Sequence, residues 1–194
     1  MDKQISKRAD FNTLLNNMGL NGKGVEVGVQ RGLHAKALHM GWKCKRLYLV
    51  DPWEHQSDYK DIANVSTAKH IHNYRNVQKL FAGQSNVELV RDYSVNAAER
   101  FSDETFDFIY LDARHDYEGI MEDLGAWFPK LKKGGVFAGH DYLDGNLPEG
   151  DFGVKKAVQK FHKPMFNTNK VSKIYSTDDK WPSWYFFYGE SDEV

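Results

Sequence analysis

The 194 residues predict an α/β fold: a doubly wound, mostly parallel seven-stranded sheet with helices on both faces and an antiparallel C-terminal edge. Three observations carry this prediction. Short apolar segments alternate with amphipathic stretches along the chain, the pattern of repeated strand–helix–strand units. One of them, Phe106-Asp107-Phe108-Ile109-Tyr110-Leu111, has the composition of a strand covered on both faces. The last two apolar segments are joined only by a polar turn, so they suit an antiparallel closing pair. There is no internal repeat and no low-complexity linker. The chain therefore reads as a single domain over 1–194, with residues 1–22 as a helical extension at its start.

Residues 11–18 are the opening helix, because Phe11, Leu14, Leu15 and Met18 recur at helical spacing. Gly19 and the pair Asn21-Gly22 end it. The first strand is 24–29 and the helix after it 33–40. The second strand, 46–50, is closed by Asp51-Pro52. Residues 55–81 are polar and mostly helical, with a loop at the start. A third strand at 87–91 leads to a short helix at 97–101. After the strand at 106–111 comes a helix over 117–131, with Ile120, Leu124, Trp127, Phe128 and Leu131 on one face. Pro129 kinks or shortens its last turn, and Gly134-Gly135 stops it before a strand at 136–138. A glycine- and proline-bearing loop at 143–152 precedes the last helix, 154–161. Strands at 171–176 and 183–188 close the fold.

Composition narrows the class. Hydrophobic residues make up 41% and charged residues 27%, which marks an ordinary globular chain. The net charge of −1 lacks the basic excess of a nucleic-acid binder. Lys43-Cys44-Lys45-Arg46 reads as a solvated loop. Cys44 is the only cysteine, so no internal disulfide forms, and a reducing compartment is the simplest inference. No apolar run is long enough to span a bilayer and the N-terminus has no signal-peptide core. A cytoplasmic protein with no membrane partner is expected.

In a doubly wound sheet, ligands bind beyond the carboxyl ends of the strands. The first such end is Glu26-Val27-Gly28-Val29-Gln30-Arg31-Gly32. Gly28 permits a sharp turn and a close ligand approach, and Gly32 precedes a helix N-terminus with free amides. Alone, this is equally an ordinary glycine turn. The second end carries Asp51, 23 residues after Gly28, near the ~20-residue spacing of an acid that holds ribose hydroxyls. Trp53 covers the ribose or adenine, or is simply a core aromatic. The third end, Asp92-Tyr93-Ser94, meets the adenine edge or caps the next helix. Both NAD and S-adenosylmethionine suit such a turn. The full Gly-x-Gly-x-x-Gly set for a pyrophosphate is missing, and Glu26 suits the sulfonium and ammonium of S-adenosylmethionine better.

Two further strand ends carry chemistry. Asp112 and His115 follow the strand at 106–111, and His140 and Asp141 follow the strand at 136–138. In a parallel sheet these ends are expected as neighbours, so the four groups converge on one pocket. Asp112, His140 and Asp141 suit a divalent cation, Mg²⁺ for an oxygen-rich set or a softer ion with the histidine. His115 suits a general base, since its ordinary pKa lies near working pH; orienting Asp112 is its competing role. His70 and His72, at i,i+2, do not share a helix face and are expected in solvent. Trp181, Trp184, Tyr185, Phe186 and Phe187 are read as edge-strand packing, with a homodimer surface or one wall of an acceptor pocket as alternatives. The loop 142–152 is a lid or a plain connector.

Together, Val25-Glu26-Val27-Gly28-Val29-Gln30-Arg31-Gly32, Val50-Asp51-Pro52-Trp53, the run from Phe108 to Glu118, the run from Asp123 to Gly135, and Gly139-His140-Asp141-Tyr142 resemble the class I S-adenosylmethionine-dependent methyltransferases. Within them the likeness is to the small-domain group of macrocin- and novobiocin-type sugar and phenol O-methyltransferases, and it extends from about Lys23 to about Phe161. The resemblance implies a Rossmann-like fold and S-adenosylmethionine as cofactor. It implies Glu26, Gly28 and Gly32 around the methionine part, Asp51 on the ribose, and Asp92 to Ser94 near adenine. It implies a divalent metal at Asp112 with His140-Asp141, a base at His115 or His140, and a small hydroxylated acceptor. Macrocin-like enzymes usually carry two acids where this chain has His140-Asp141. A nicotinamide-dependent oxidoreductase and a non-catalytic cofactor-binding protein are the alternatives.

Overall fold

The computed structural model of the chain describes residues 3–189. Its elements, in order, are α1 (Phe11–Asn17), β1 (Lys23–Val27), α2 (Leu33–Gly41), β2 (Arg46–Val50), α3 (Thr67–Leu80), β3 (Val87–Val90), α4 (Ser94–Ala98), β4 (Phe106–Leu111), α5 (Tyr117–Trp127), β5 (Leu131–Gly139), β6 (Asp144–Leu147), β7 (Gly150–Gly153), α6 (Val154–Phe166), β8 (Tyr175–Ser176) and β9 (Trp184–Phe187). Seven strands form one sheet in the order β3-β2-β1-β4-β5-β9-β8, and β6 and β7 form a separate antiparallel pair. β1 to β5 are mutually parallel; β9 runs antiparallel to both β5 and β8.

Successive strand side chains point to opposite faces, and both faces here are apolar. Phe108 and Tyr110 of β4 pack with Phe11, Leu14 and Leu15 of α1, Leu38 of α2 and Val77 of α3. Ile109 and Leu111 pack with Ala97 of α4, Leu124 and Trp127 of α5, and Val158 of α6. This two-sided burial explains why the strands read as continuous apolar runs. α1 belongs to the core, since Phe11 is fully buried against Phe108, Tyr110 and Tyr185.

Several boundaries differ from expectation. β1 ends at Val27 because Gly28 turns the chain at φ +90°. Residues 55–66 are not helical: the Asn64 side chain bonds the Gln56 and Tyr59 carbonyls and closes them into a loop. α4 begins three residues earlier than the expected helix. α5 ends at Trp127, and Pro129, which has no N–H to donate, lies in a 3₁₀ turn, Phe128–Lys130. Leu131 is then the first residue of β5, and Gly134, expected to stop the helix, lies inside that strand at φ +85°. The expected loop at 143–152 contains the β6–β7 hairpin. The last helix runs on to Phe166.

Of the residues expected as a strand at 171–176, only Tyr175–Ser176 pairs as one, with Val171 making an isolated bridge to Tyr188. β9 is inserted between β5 and β8, so Trp184, Tyr185, Phe186 and Phe187 are fully buried in this single chain. They are core, neither edge packing nor a free dimer surface. No helix among the described residues is long and apolar enough to cross a membrane.

Candidate active site

Strand order reverses between β1 and β4, and the crevice at such a switch point is where α/β sheets bind ligands. The sheet itself fixes the groups there. Gly28 donates its amide to the Val50 carbonyl at 2.8 Å, Asp51 to Val90 at 3.2 Å, Asp112 to Val27 at 2.7 Å and His140 to Leu111 at 2.9 Å. Each residue just past a strand is thus tied to the end of its neighbour, and the four expected sites stand side by side.

Gly28 cannot be another residue. A Cβ there would lie 1.9 Å from the Asp112 carbonyl oxygen, and φ +90° is a conformation L side chains rarely adopt. The turn's amides, however, are not free. Asp51 accepts from the Val29 and Gln30 amides at 2.9 and 2.8 Å with one oxygen, and from the Trp53 amide with the other. Burial raises the Asp51 pKa against these backbone bonds. Trp53 is fully buried and its indole donates to the Gln30 carbonyl at 2.9 Å. It clamps the turn from behind and presents no open ring face to a cofactor. His70, expected in solvent, is also buried, with neither ring nitrogen hydrogen-bonded.

Glu26 is almost fully buried, and one carboxylate oxygen has no hydrogen bond. It lies 3.3 Å from His34 Nδ1 and faces a hollow shared with Arg8, Gly28, Arg31, His34 and Asp112. On the other side of Gly28 lies a crevice of about 310 Å³ lined by Asp51, Tyr93, Ser94, Val95, Arg114 and Asp123, among others. Asp92 is drawn off to the surface by Arg100. Tyr93 and Ser94 line the crevice, but the Ser94 hydroxyl donates to Asp123 and accepts from the Trp127 indole.

Asp112, His115, His140 and Asp141 do converge. His115 Nε2 lies 3.1 Å from Asp141 and 3.6 Å from Asp112; His140 Nδ1 lies 3.0 Å from Asp141 and 3.6 Å from Asp112. His115 Nδ1 is bonded to Asp61 at 2.9 Å, and the ring stacks on Phe152. Burial alone would lower the His115 pKa. The hydrogen bond to Asp61 and the nearby carboxylates of Asp112 and Asp141 push it up to about 10. Burial would likewise raise Asp112, but Arg8, His115 and His140 hold it well below the usual carboxylate range. Asp141 adopts φ +53°, left-handed backbone that Asp tolerates better than most residues.

Among the described residues, Asp112, His115 and Asp141 each bring one potential ligand atom within 4.8 Å of the others, a set that holds His115 where the expectation named His140. Arg8, Tyr59, Asp61 and Phe152 were absent from the sequence expectation. Arg8 bonds Asp112 at 2.7 Å and covers the Tyr110 ring, while Tyr59 accepts the His115 amide at 3.0 Å. His140, Asp141, Phe152, Trp181, Ile62 and Arg31 line a broader hollow, about 590 Å³, which opens beside this cluster.

A family model described as a methyltransferase domain matches residues 25–142. Comparison with curated proteins finds no match. Among solved structures, an O-methyltransferase from Bacillus cereus in complex with SAH is 16% identical with a TM-score of 0.62, covering 96% of this chain and 82% of that one. A putative rRNA methylase from Clostridium thermocellum is 14% identical with a TM-score of 0.65, covering 95% and 98%. SAH-bound methyltransferase PaMTH1 from Podospora anserina is 15% identical with a TM-score of 0.63, covering 96% and 80%. At these identities the likeness to solved structures is one of fold.

Proposed function

Because this chain belongs to the methyltransferase-domain family, we propose that it moves the methyl group of S-adenosylmethionine to a hydroxyl oxygen of a small molecule, with a divalent cation beside the acceptor. The observation that carries the cofactor is Glu26: a buried carboxylate that lines the hollow beside Gly28, with His34 Nδ1 its ion-pair neighbour at 3.3 Å, suits the cationic methionine end. The crevice beyond Gly28 suits the adenosine end. Bound S-adenosylmethionine supplies a methyl on positive sulfur. Two relatives of this fold were solved with SAH, which agrees. A dinucleotide would ask the turn for amides that Asp51 already holds.

Asp112, His115 and Asp141 suit a cation on chemical grounds. His115 Nε2 is buried and without a hydrogen bond, and its other nitrogen is fixed on a carboxylate, the usual arrangement behind a metal-bound histidine. Such a cation supplies charge that lowers the pKa of a hydroxyl. With both His115 nitrogens committed, the base is His140. Its Nδ1 faces Asp141, so Nε2 would be placed to take the proton of an acceptor hydroxyl, whose oxygen would accept the methyl that the cofactor would supply, with S-adenosylhomocysteine as the leaving product. Orientation by the walls of the hollow supplies much of the acceleration. A small acceptor is favoured over RNA by the net charge of −1.

Calorimetry with S-adenosylhomocysteine, with and without Mg²⁺, tests the cofactor and the cation together. A panel of sugar and phenol hydroxyl acceptors then tests turnover. No binding of S-adenosylhomocysteine would sink the cofactor assignment. Full turnover by both His140→Ala and Asp112→Ala would sink the mechanism, and binding without transfer to any acceptor would favour a non-catalytic protein.

A further inference from the structure

We infer that Asp123, on α5, is the residue that selects adenine, through the 6-amino edge of the base. This rests on the cofactor assignment above and goes beyond it. The sequence motif places Asp92, Tyr93 and Ser94 at the end of β3, where an adenine-reading group is expected. The structure leaves none of the three free to do it. The Asp92 carboxylate is engaged by Arg100 on the surface. The Ser94 hydroxyl proton is spent on Asp123, and its oxygen accepts from Trp127. Tyr93 is 44% exposed and offers the crevice a ring, which stacks on any base without distinguishing one from another.

Asp123 remains. It is 4% exposed, yet it lines the 310 Å³ crevice with Asp51, Tyr93 and Val95. Its only hydrogen bond in the described structure comes from Ser94. Among the described residues no cationic side chain makes an ion pair with it; Arg114, whose charge acts on it, is bonded to Asp116. A carboxyl group buried this way is stable only with further donors, and an adenine amino group supplies one. With the Ser94 hydroxyl donating to Oδ1, the other carboxyl oxygen is left to accept from the amino group, where an oxo group would be repelled. Burial pushes its pKa up to about 7, so both forms exist near neutrality. Ser94 and Trp127 hold the carboxyl in place from behind.

The test is calorimetry on the full chain with two probes: S-adenosylhomocysteine, and S-inosylhomocysteine, in which an oxo group replaces the 6-amino group and the adjacent nitrogen carries a proton. The wild type is expected to prefer the adenosyl compound by ~10- to 100-fold, the range of a hydrogen bond lost to a polar group in a buried site. Asp123→Ala is expected to weaken S-adenosylhomocysteine ~10-fold or more and to bring the ratio of the two probes close to one. Asp123→Leu, which keeps the branched outline of the side chain, serves if the alanine variant does not fold. Asp123→Asn, which keeps a donor and an acceptor, is expected to retain most of the preference. A wild-type ratio near one, or an undiminished preference in Asp123→Ala or Asp123→Leu, overturns the inference alone. Failure of the wild type to bind either probe overturns the cofactor assignment, and the inference with it.

Discussion

Asp123→Asn is expected to stabilise the protein at alkaline pH and to leave it nearly unchanged in acid. The carboxyl is 4% exposed, with Ser94 its hydrogen-bond partner. Burial pushes its pKa from 3.8 to about 7. Between about pH 4 and pH 7 the folded chain therefore keeps a proton that the unfolded chain releases. Stability contributed by this group falls as pH rises through that window and is level above it. A displacement of about 3 pH units at 1.36 kcal/mol each makes ~4 kcal/mol the upper bound. Asparagine has the shape of the neutral acid and no charge to bury, so it removes the slope. At pH 8 the variant gains up to ~4 kcal/mol, a rise in Tm of roughly 8–16 °C for a domain of this size. At pH 4 the two unfold together. Asp61, Asp112 and Asp116 have depressed pKa values and act in the opposite sense, losing stability as pH falls. They are common to both proteins and cancel in the difference. Calorimetric unfolding of both proteins from pH 4 to pH 8 measures it. A Tm difference that is constant with pH, or largest at pH 4, would refute the reasoning.

Two substitutions probe the frame of the site. Gly28→Ala places a methyl 1.9 Å from the Asp112 carbonyl in a backbone conformation unfavourable to alanine, and should cost about 3 kcal/mol or more. It should also abolish S-adenosylhomocysteine binding in calorimetry; native affinity would show that the turn is not at the ligand. Arg8→Ala strips Asp112 of its partner in a pair whose side chains are 23% and 18% exposed, and should cost roughly 2–4 kcal/mol in urea unfolding. Adding Asp112→Asn should recover part of that loss, because the stranded charge is gone. A strictly additive double variant would show that the two groups do not interact.

The fold was legible to the degree that its information is local. Phe106 to Leu111 has one alternation only, at Asp107, and that residue reaches back to the Gly22 amide at the base of the sheet. The rest is a doubly covered strand, as expected. Four consecutive aromatics from Trp184 to Phe187 carry the same signal more strongly, and on that ground belong inside a sheet. Their place near the C-terminus argued for an edge, but chain order is not sheet order. The Asp144–Gly153 hairpin was obscured because its strand residues include three glycines, which carry little β preference. Pro129 was recognised as a breaker. That the following Leu131 starts a strand is set by pairing with Phe106, which lies outside any local window.

The same distinction divides the site. Gly28, Asp51, Asp112, His140 and Asp141 follow strands and Glu26 stands near the end of β1, and a parallel sheet aligns strand ends automatically, so their convergence could be read from spacing. The residues that decide what those groups do come from elsewhere. Asp61 holds the Nδ1 side of His115 from a loop held closed by Asn64. Arg8 reaches Asp112 from before the first helix. Asp123 enters the crevice from the middle of α5, where its spacing from Ile120 and Leu124 marks only a helix face. In each case one side chain meets a partner more than 25 residues away, and nothing in the neighbouring sequence announces the pairing. From its position after Asp112, His115 is expected as a base or as a residue that orients Asp112. In the fold, Asp61, Asp112 and Asp141 surround its ring, which is why the proposed mechanism gives the proton transfer to His140.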